Sequence, residues 1–276
     1  MAMSSAPSPV SRTHLTPEQL SRNALHRRAV EAVIWGMPAV NTDLMYQAMA
    51  RQVKGRWNQI VYWSRLLDWK NQTLTPNPDA IYLMPFFNTA EAGPMVIEIP
   101  PVDGGSITGS IMDSWQTPLE DVGPAGVDEG KGGKYLIRPP GSSGTPPDGY
   151  IPLRSQTYRG YALLRSILQS GSDSDFAKAV EYGKRIALYP LSAPSTSLGA
   201  GAQNPQATTY LDAADVVFDA TIPYDVRFFE SLARMVENEP WLERDRAMID
   251  PLRTLGIEKG KAFNPDTTVR EIMNDA

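Results

Sequence analysis

Cysteine is absent from the 276-residue sequence, and histidine is nearly so, with only His14 and His26. The first absence rules out disulfides, thiolate metal sites and a cysteine nucleophile, and it leaves the redox compartment open. The second rules out a serine–histidine pair or a histidine-rich metal centre in the body of the chain. No apolar run approaches the roughly 18 residues of a membrane span. Blocks of like charge are missing too: 31 acidic residues against 26 basic ones leave a net charge of −5. An electrostatic nucleic-acid footprint is therefore not expected. The start of the chain, Met1 to Arg12, is rich in Ser, Pro and Ala and lacks the hydrophobic core of a secretory signal. By composition, residues 1–15 read as a disordered tail. The cytoplasm is the default location, with the periplasm as the alternative if an export signal has been removed.

What is present is 42% apolar composition, enough for one large domain or two small ones. Thr16-Pro17-Glu18-Gln19 opens a helix: Thr16 caps, Pro17 suits the first position and Gln19 completes a capping box. Val30, Val33, Ile34 and Met37 follow at helical spacing, and Val40, Leu44, Met45, Ala48 and Met49 resume the stripe after Pro38. The pattern predicts a helix over 17–36, a break at Gly36-Met37-Pro38 and a second helix to about 51, with the methionines in the core. Trp57, Trp63 and Trp69 lie in an irregular stretch, where they anchor a loop or line a pocket.

Thr75-Pro76-Asn77-Pro78-Asp79 is a rigid polar corner feeding a strand from Ile81 to Phe87. Met95–Ile99, Ile107–Met112 and Lys134–Arg138 are further short strands between Gly/Pro turns, so the spacing predicts a sandwich or barrel-like sheet. From about 157 the helical spacing returns, with Tyr161, Leu164, Ile167 and Leu168. Helices are predicted after Asp173, Asp225 and Asp250 and from Thr267, with an exposed loop near 191–209.

The candidate chemistry is carried by carboxylates. Asp79, Asp113, Glu120, Asp121, Asp128 and Glu129 lie in or beside the β region and could serve as acid and base, or hold a hard cation. Asp113-Ser114-Trp115 sets a carboxylate beside an indole, which suits a polar ligand with a flat face; the same triplet could equally be a buried aspartate holding loop amides under a core tryptophan. Gly130-Lys131-Gly132-Gly133-Lys134 lacks the spacing of a phosphate-binding loop and leads into a strand rather than a helix. Arg138, Arg154, Arg159 and Arg165 cluster at the β-to-α junction, where an inward one could pair with an anion or with Asp79 or Asp113.

Thr75-x-Asn77-x-Asp79-x-x-Tyr82, the Pro94–Pro101 run, Asp113-x-Trp115, Asp121-Val122-Gly123, Gly133-Lys134-Tyr135 and Pro139-Pro140-Gly141 together resemble the bacterial family called domain of unknown function 1254, from about residue 25 onward. The resemblance implies N-terminal helices, an immunoglobulin-like β-sandwich and a following helical domain. It also implies a second β-rich module, of the 1214 type, which this sequence does not reach. A separate module of that type or a homo-oligomer is the expected partner.

The expectation is thus an α+β chain: an N-terminal helical segment over 16–70, an antiparallel sandwich over 71–156 and a helical domain over 157–276. Its function is read as a small-molecule pocket walled by Asn77, Asp79, Tyr82, Asp113, Trp115, Tyr135 and Arg154. The ligand is unspecified, no cofactor and no metal ligand set are expected, and carboxylate acid–base chemistry is the available mechanism. The alternative is a non-catalytic binding or assembly subunit.

Overall fold

The computed structural model describes residues 15–73, 75, 77–192 and 208–276. The expected tail up to residue 14, the expected loop between 193 and 207, and Pro76 of the corner lie outside the described residues. In chain order the elements are α1 (Pro17–Gln52), β1 (Gln59–Tyr62), β2 (Ala80–Asn88), α2 (Thr89–Ala92), β3 (Met95–Ile99), β4 (Ile107–Asp113), β5 (Pro118–Val122), β6 (Gly133–Arg138), β7 (Ile151–Arg154) and β8 (Arg159–Ile167). They continue with α3 (Asp173–Gly183), β9 (Ala187–Pro190), β10 (Tyr210–Asp212), α4 (Val226–Asn238), a 3-10 turn (Glu243–Met248), α5 (Ile249–Thr254) and α6 (Thr267–Asp275).

The capping box forms as read: Gln19 N donates to Thr16 Oγ1 at 3.2 Å, and Thr16 N donates to Gln19 Oε1 at 2.9 Å. The predicted break at Pro38 does not form, and α1 is one helix of 36 residues. Pro38 deprives the Ile34 carbonyl of its helical donor. Ile34 is 72% exposed, so this turn of the helix lies on the solvent side, where water can take the place of that donor. Gly36 serves the packing instead, because a Cβ there would meet Leu232 of α4 at 2.7 Å. The two helices therefore touch through a position with no side chain.

Two sheets form, a six-stranded one in the order β10-β1-β2-β8-β4-β5 and a four-stranded one in the order β7-β6-β3-β9. Ile60, Leu83, Phe87, Ile111 and Leu164 of the first pack against Met95, Ile97, Tyr135, Ile137 and Leu188 of the second to make the inter-sheet core. The other face of the larger sheet carries Val61, Tyr82, Met84, Phe86 and Tyr161, which Met45, Ala48 and Met49 of α1 cover. The first half of α1 packs with Phe228 and Leu232 of α4, Leu252 of α5 and Ile272 of α6. One long helix thus joins a three-layer core, four strands on six strands on helices. Among the described residues no helix is long and apolar enough to cross a membrane.

Several expectations are corrected. Tyr158–Leu168 is not helical: β8 lies between β2 and β4 in the larger sheet. Its Tyr161 faces α1 while Ala162 and Leu164 enter the inter-sheet core. A strand buried on both faces shows no clean two-residue alternation, and its apolar residues here fall at helix-like steps. Strands β1, β8, β9 and β10 all lie outside 71–156, so the sheets draw on both flanking segments. The pairing is not wholly antiparallel either, since β1–β10 and β6–β7 run parallel.

Gly109 on β4 sits between β5 and β8 at φ +152°, where a Cβ would lie 2.0 Å from the Leu163 carbonyl oxygen. Gly109→Ala is expected to lower the unfolding free energy by roughly 3 kcal/mol or more, through overpacking in the sheet. Gly141, at φ +72° with nothing within 4 Å, provides the contrast. Gly141→Ala is expected to cost only about 1 kcal/mol of backbone strain. Urea unfolding of both variants checks this, and equal losses would contradict the β4–β8 spacing.

Candidate functional site

The residues expected to wall one pocket are spread over the molecule. Asn77 turns the chain, its Oδ1 accepting from Asp79 N at 2.7 Å, and the Asp79 carbonyl accepts from Leu168 N at 2.9 Å. The Asp79 side chain is exposed at the start of β2. Tyr82 is buried on the helix side of the sheet, and its hydroxyl accepts from Arg165 Nε at 3.2 Å. Ala80 lies opposite Ile167 on β8, whereas Asp113 lies opposite Gly160. Seven steps of about 3.3 Å along a strand put the Asn77–Asp79 corner and the Asp113–Trp115 turn roughly 23 Å apart, at opposite ends of the sheet. Tyr135 points into the inter-sheet core, and burial raises its pKa, as does the nearby Asp128. Arg154 is exposed on the edge strand β7, beside Arg138. Of the seven, Asn77 and Asp79 share the corner before β2, and Asp113 and Trp115 share the turn after β4.

The second locality gathers more chemistry than its two sequence-predicted members. Trp115 projects from the β4–β5 turn. Trp35 comes from the middle of α1, with ring centroids 5.4 Å from Trp115. Trp241 follows α4 and stacks on Trp35 at 6.0 Å. All three indoles are half-buried. The Nε1 groups of Trp35 and Trp115 are buried and have no hydrogen-bond partner among the described residues. Arg244 stands near Asp113 and pairs with Asp245 at 3.6 Å. Of the earlier tryptophans, Trp57 stacks on Tyr46 and Trp63 packs on Phe218 as loop anchors, while Trp69 is exposed.

Two buried carboxylates hold this junction together. Asp113 Oδ1 accepts from Trp115 N at 2.8 Å and from Thr117 N at 2.9 Å, so it shapes the turn that presents Trp115. Burial pushes its pKa up, against those two amides, the Thr117 side chain and the Arg244 charge. Glu239 caps the C-terminal end of α4 and is 2% exposed. Its Oε2 accepts from Tyr158 N at 2.6 Å, and its Oε1 accepts from Arg159 N at 3.2 Å and from Ser114 Oγ at 3.3 Å. Burial pushes Glu239 up to about 7, opposed by the Tyr158 amide, the Arg159 charge and the Ser114 hydroxyl. Its own carbonyl, an orphan at the helix end, accepts from Lys259 Nζ at 2.8 Å.

Sequence reasoning missed Glu239, Trp35, Trp241 and Arg244. One signal was available for Glu239. An acid at a helix C-terminus opposes the helix dipole, and Glu239 is followed at once by Pro240-Trp241. Among the described residues no group of three His, Asp or Glu side chains gathers to hold a metal ion.

The fold and this junction define a two-sheet α+β protein with a helical layer pinned to one end of the larger sheet. Residues 57–190, which contain β1 through β9, match the family described as "Protein of unknown function (DUF1254)", so the resemblance read from the sequence is shown over that segment. The matched segment is shorter than the extent expected from residue 25 onward. A comparison with curated proteins gives no match. Among solved structures, the VPA0106 protein from Vibrio parahaemolyticus is similar in fold, with a TM-score of 0.60 and 16% identity over 91% of this chain and 57% of that one. The chain therefore spans little more than half the length of that protein, and the likeness concerns fold alone.

The Glu239 proton gives a direct prediction. Its folded pKa of about 7 lies above the ordinary 4.5. The stability it contributes is thus fully present below the unfolded value and is lost as pH rises through the folded one. Between those two values the wild type should lose on the order of 3 kcal/mol relative to Glu239→Gln. Urea unfolding of both proteins at mildly acidic and mildly alkaline pH checks this. Parallel pH dependences would contradict it.

Proposed function

We propose that this chain is a non-catalytic binding module whose junction of Trp35, Trp115 and Trp241 takes a small neutral molecule with a flat apolar face and an oxygen acceptor. One observation carries the reading: the indole N–H groups of Trp35 and Trp115 are buried without an acceptor among the described residues, between rings drawn from separate elements. A buried indole N–H nearly always has a partner. The ring centroids stand 5.4 and 6.0 Å apart, so the indoles must part to admit a ligand; its carbonyl or hydroxyl oxygen would then supply the acceptor, and the half-buried ring faces would supply contact area. An anionic ligand is disfavoured because Asp113 and Asp245 outnumber Arg244 here.

Binding is favoured over acid–base catalysis by the state of the carboxylates. Asp113 and Glu239 accept from backbone N–H groups of the protein itself. A second reading, assembly with another copy or with a 1214-type module, is supported by apolar surface away from the junction. Tyr224 (84% exposed) is part of it, at a 240 Å³ cavity lined also by Val33, Phe228 and Met273.

Tryptophan fluorescence titration with benzamide, acetanilide and coumarin tests the binding reading. At least one should quench saturably in the wild type and bind about tenfold more weakly to Trp115→Phe, which keeps a ring and loses the N–H. The melting temperature of Trp115→Phe should change little, since an unpartnered buried N–H is removed along with part of the ring. Saturable binding unaffected by Trp115→Phe, or no binding by any of the three, would overturn it.

A further inference from the structure

Lys131 to Lys134 of the Gly130–Lys134 run form one wall of an open bowl of 370 Å³ at the rim of the four-stranded sheet. Glu98 on β3 and Asp148, Gly149 and Tyr150 before β7 form the others. The bowl lies apart from the tryptophan junction, which is built on the other sheet. A glycine-rich loop suggests a phosphate cradle, but its amides are already engaged: Lys131 N donates to the Asp128 carbonyl at 2.8 Å and Gly132 N to the Asp128 carboxylate at 3.1 Å. A carboxylate of the protein holds the position that an anion would take.

The lining has a distinct character. Glu98 and Lys134 face each other in the β3–β6 register, and the Tyr189 hydroxyl donates to Glu98 at 2.8 Å. The Lys134 ammonium stands 5.9 Å from the centre of the Tyr150 ring. Lys131 and Lys134 stand against Glu98 and Asp148 in the lining, and Lys131 is paired with Glu129 beside it, so no excess of positive charge faces the bowl. That arrangement does not favour a polyanion. It does supply donors and acceptors side by side around one aromatic face. The wall is also stiff, because a Cβ on Gly132 would meet the Ile99 carbonyl oxygen and Pro101 N at 2.6 Å. A loop packed this closely on the end of β3 has little freedom to lose on binding.

We propose that this bowl binds a neutral carbohydrate of one or two rings, with its C–H face on Tyr150 and its hydroxyls reaching Lys131, Lys134, Glu98 and Asp148. Neutral sugars match the lining because each hydroxyl both donates and accepts, and because a pyranose ring presents an apolar face.

Saturation-transfer NMR and calorimetry on the full chain, with glucose, xylobiose, cellobiose and maltose, test the assignment; inorganic phosphate and glycine betaine serve as contrasts. At least one sugar should bind with a millimolar or lower Kd and weaken about tenfold or more in Tyr150→Ala and in Lys134→Met. Both residues are half-buried at the rim, so melting should fall by only a few degrees and the fold should be kept. Trp115→Phe should leave sugar binding intact, which separates this site from the junction. No sugar binding at millimolar concentration, binding indifferent to both rim variants, or phosphate or betaine binding that the rim variants abolish would overturn the proposal.

Discussion

Glu239 sits where α4 ends, with its carboxylate turned into the start of β8, and three donors from the sheet layer meet it there. Two are the Tyr158 and Arg159 amides, which would otherwise be orphaned donors in a closely packed region. Leaving a buried donor unmade costs about 1–3 kcal/mol. The third is the hydroxyl of Ser114, the neighbour of Trp115, while Trp241 lies two residues beyond Glu239 itself. Glu239 thus ties the segments that carry both indoles to each other, while Asp113 shapes the turn that presents Trp115. The helical layer is tied here by a polar anchor, and elsewhere by the apolar packing of α1 on α4, α5 and α6.

The same arrangement explains why the expected pocket does not assemble. Strand registers send the Asn77–Asp79 corner and the Asp113–Trp115 turn to opposite ends of the larger sheet. Of the acids that looked like candidate chemistry, Asp113 holds the β4–β5 turn, Asp128 the Gly123 and Gly132 amides and Glu120 the amide of Asp121; Asn77 likewise holds the amide of Asp79. Such groups make turns rigid, and rigid turns present side chains. At the junction the turn presents Trp115; at the bowl it presents Lys131 and the edge of β6.

Much of the fold was legible where the cause is local. The Thr16–Gln19 capping box, the Asp225 cap of α4 and the stop at Gly256, with φ +80°, are decided by neighbours within a turn. What was hidden depends on distant partners. Pro38 reads as a break unless Ile34 is known to face solvent. β8 reads as a helix unless both of its faces are known to be covered. β1, only Gln59–Tyr62, is too short to announce itself. At the site, Asp113 and Trp115 stood out because they are adjacent in a strand-end pattern. Glu239 did not, since its partners lie 80, 81 and 125 residues away.

Amide hydrogen exchange at Tyr158 and Arg159 reports on the Glu239 anchor itself. If this carboxylate binds the helical layer to the sheet, both amides exchange as slowly as the core of β8 in the wild type. In Glu239→Ala they exchange faster by about a factor of ten or more, and the amides of α4 follow them. Wild-type exchange at the rate of exposed loops, or protection unchanged in Glu239→Ala, would contradict the account.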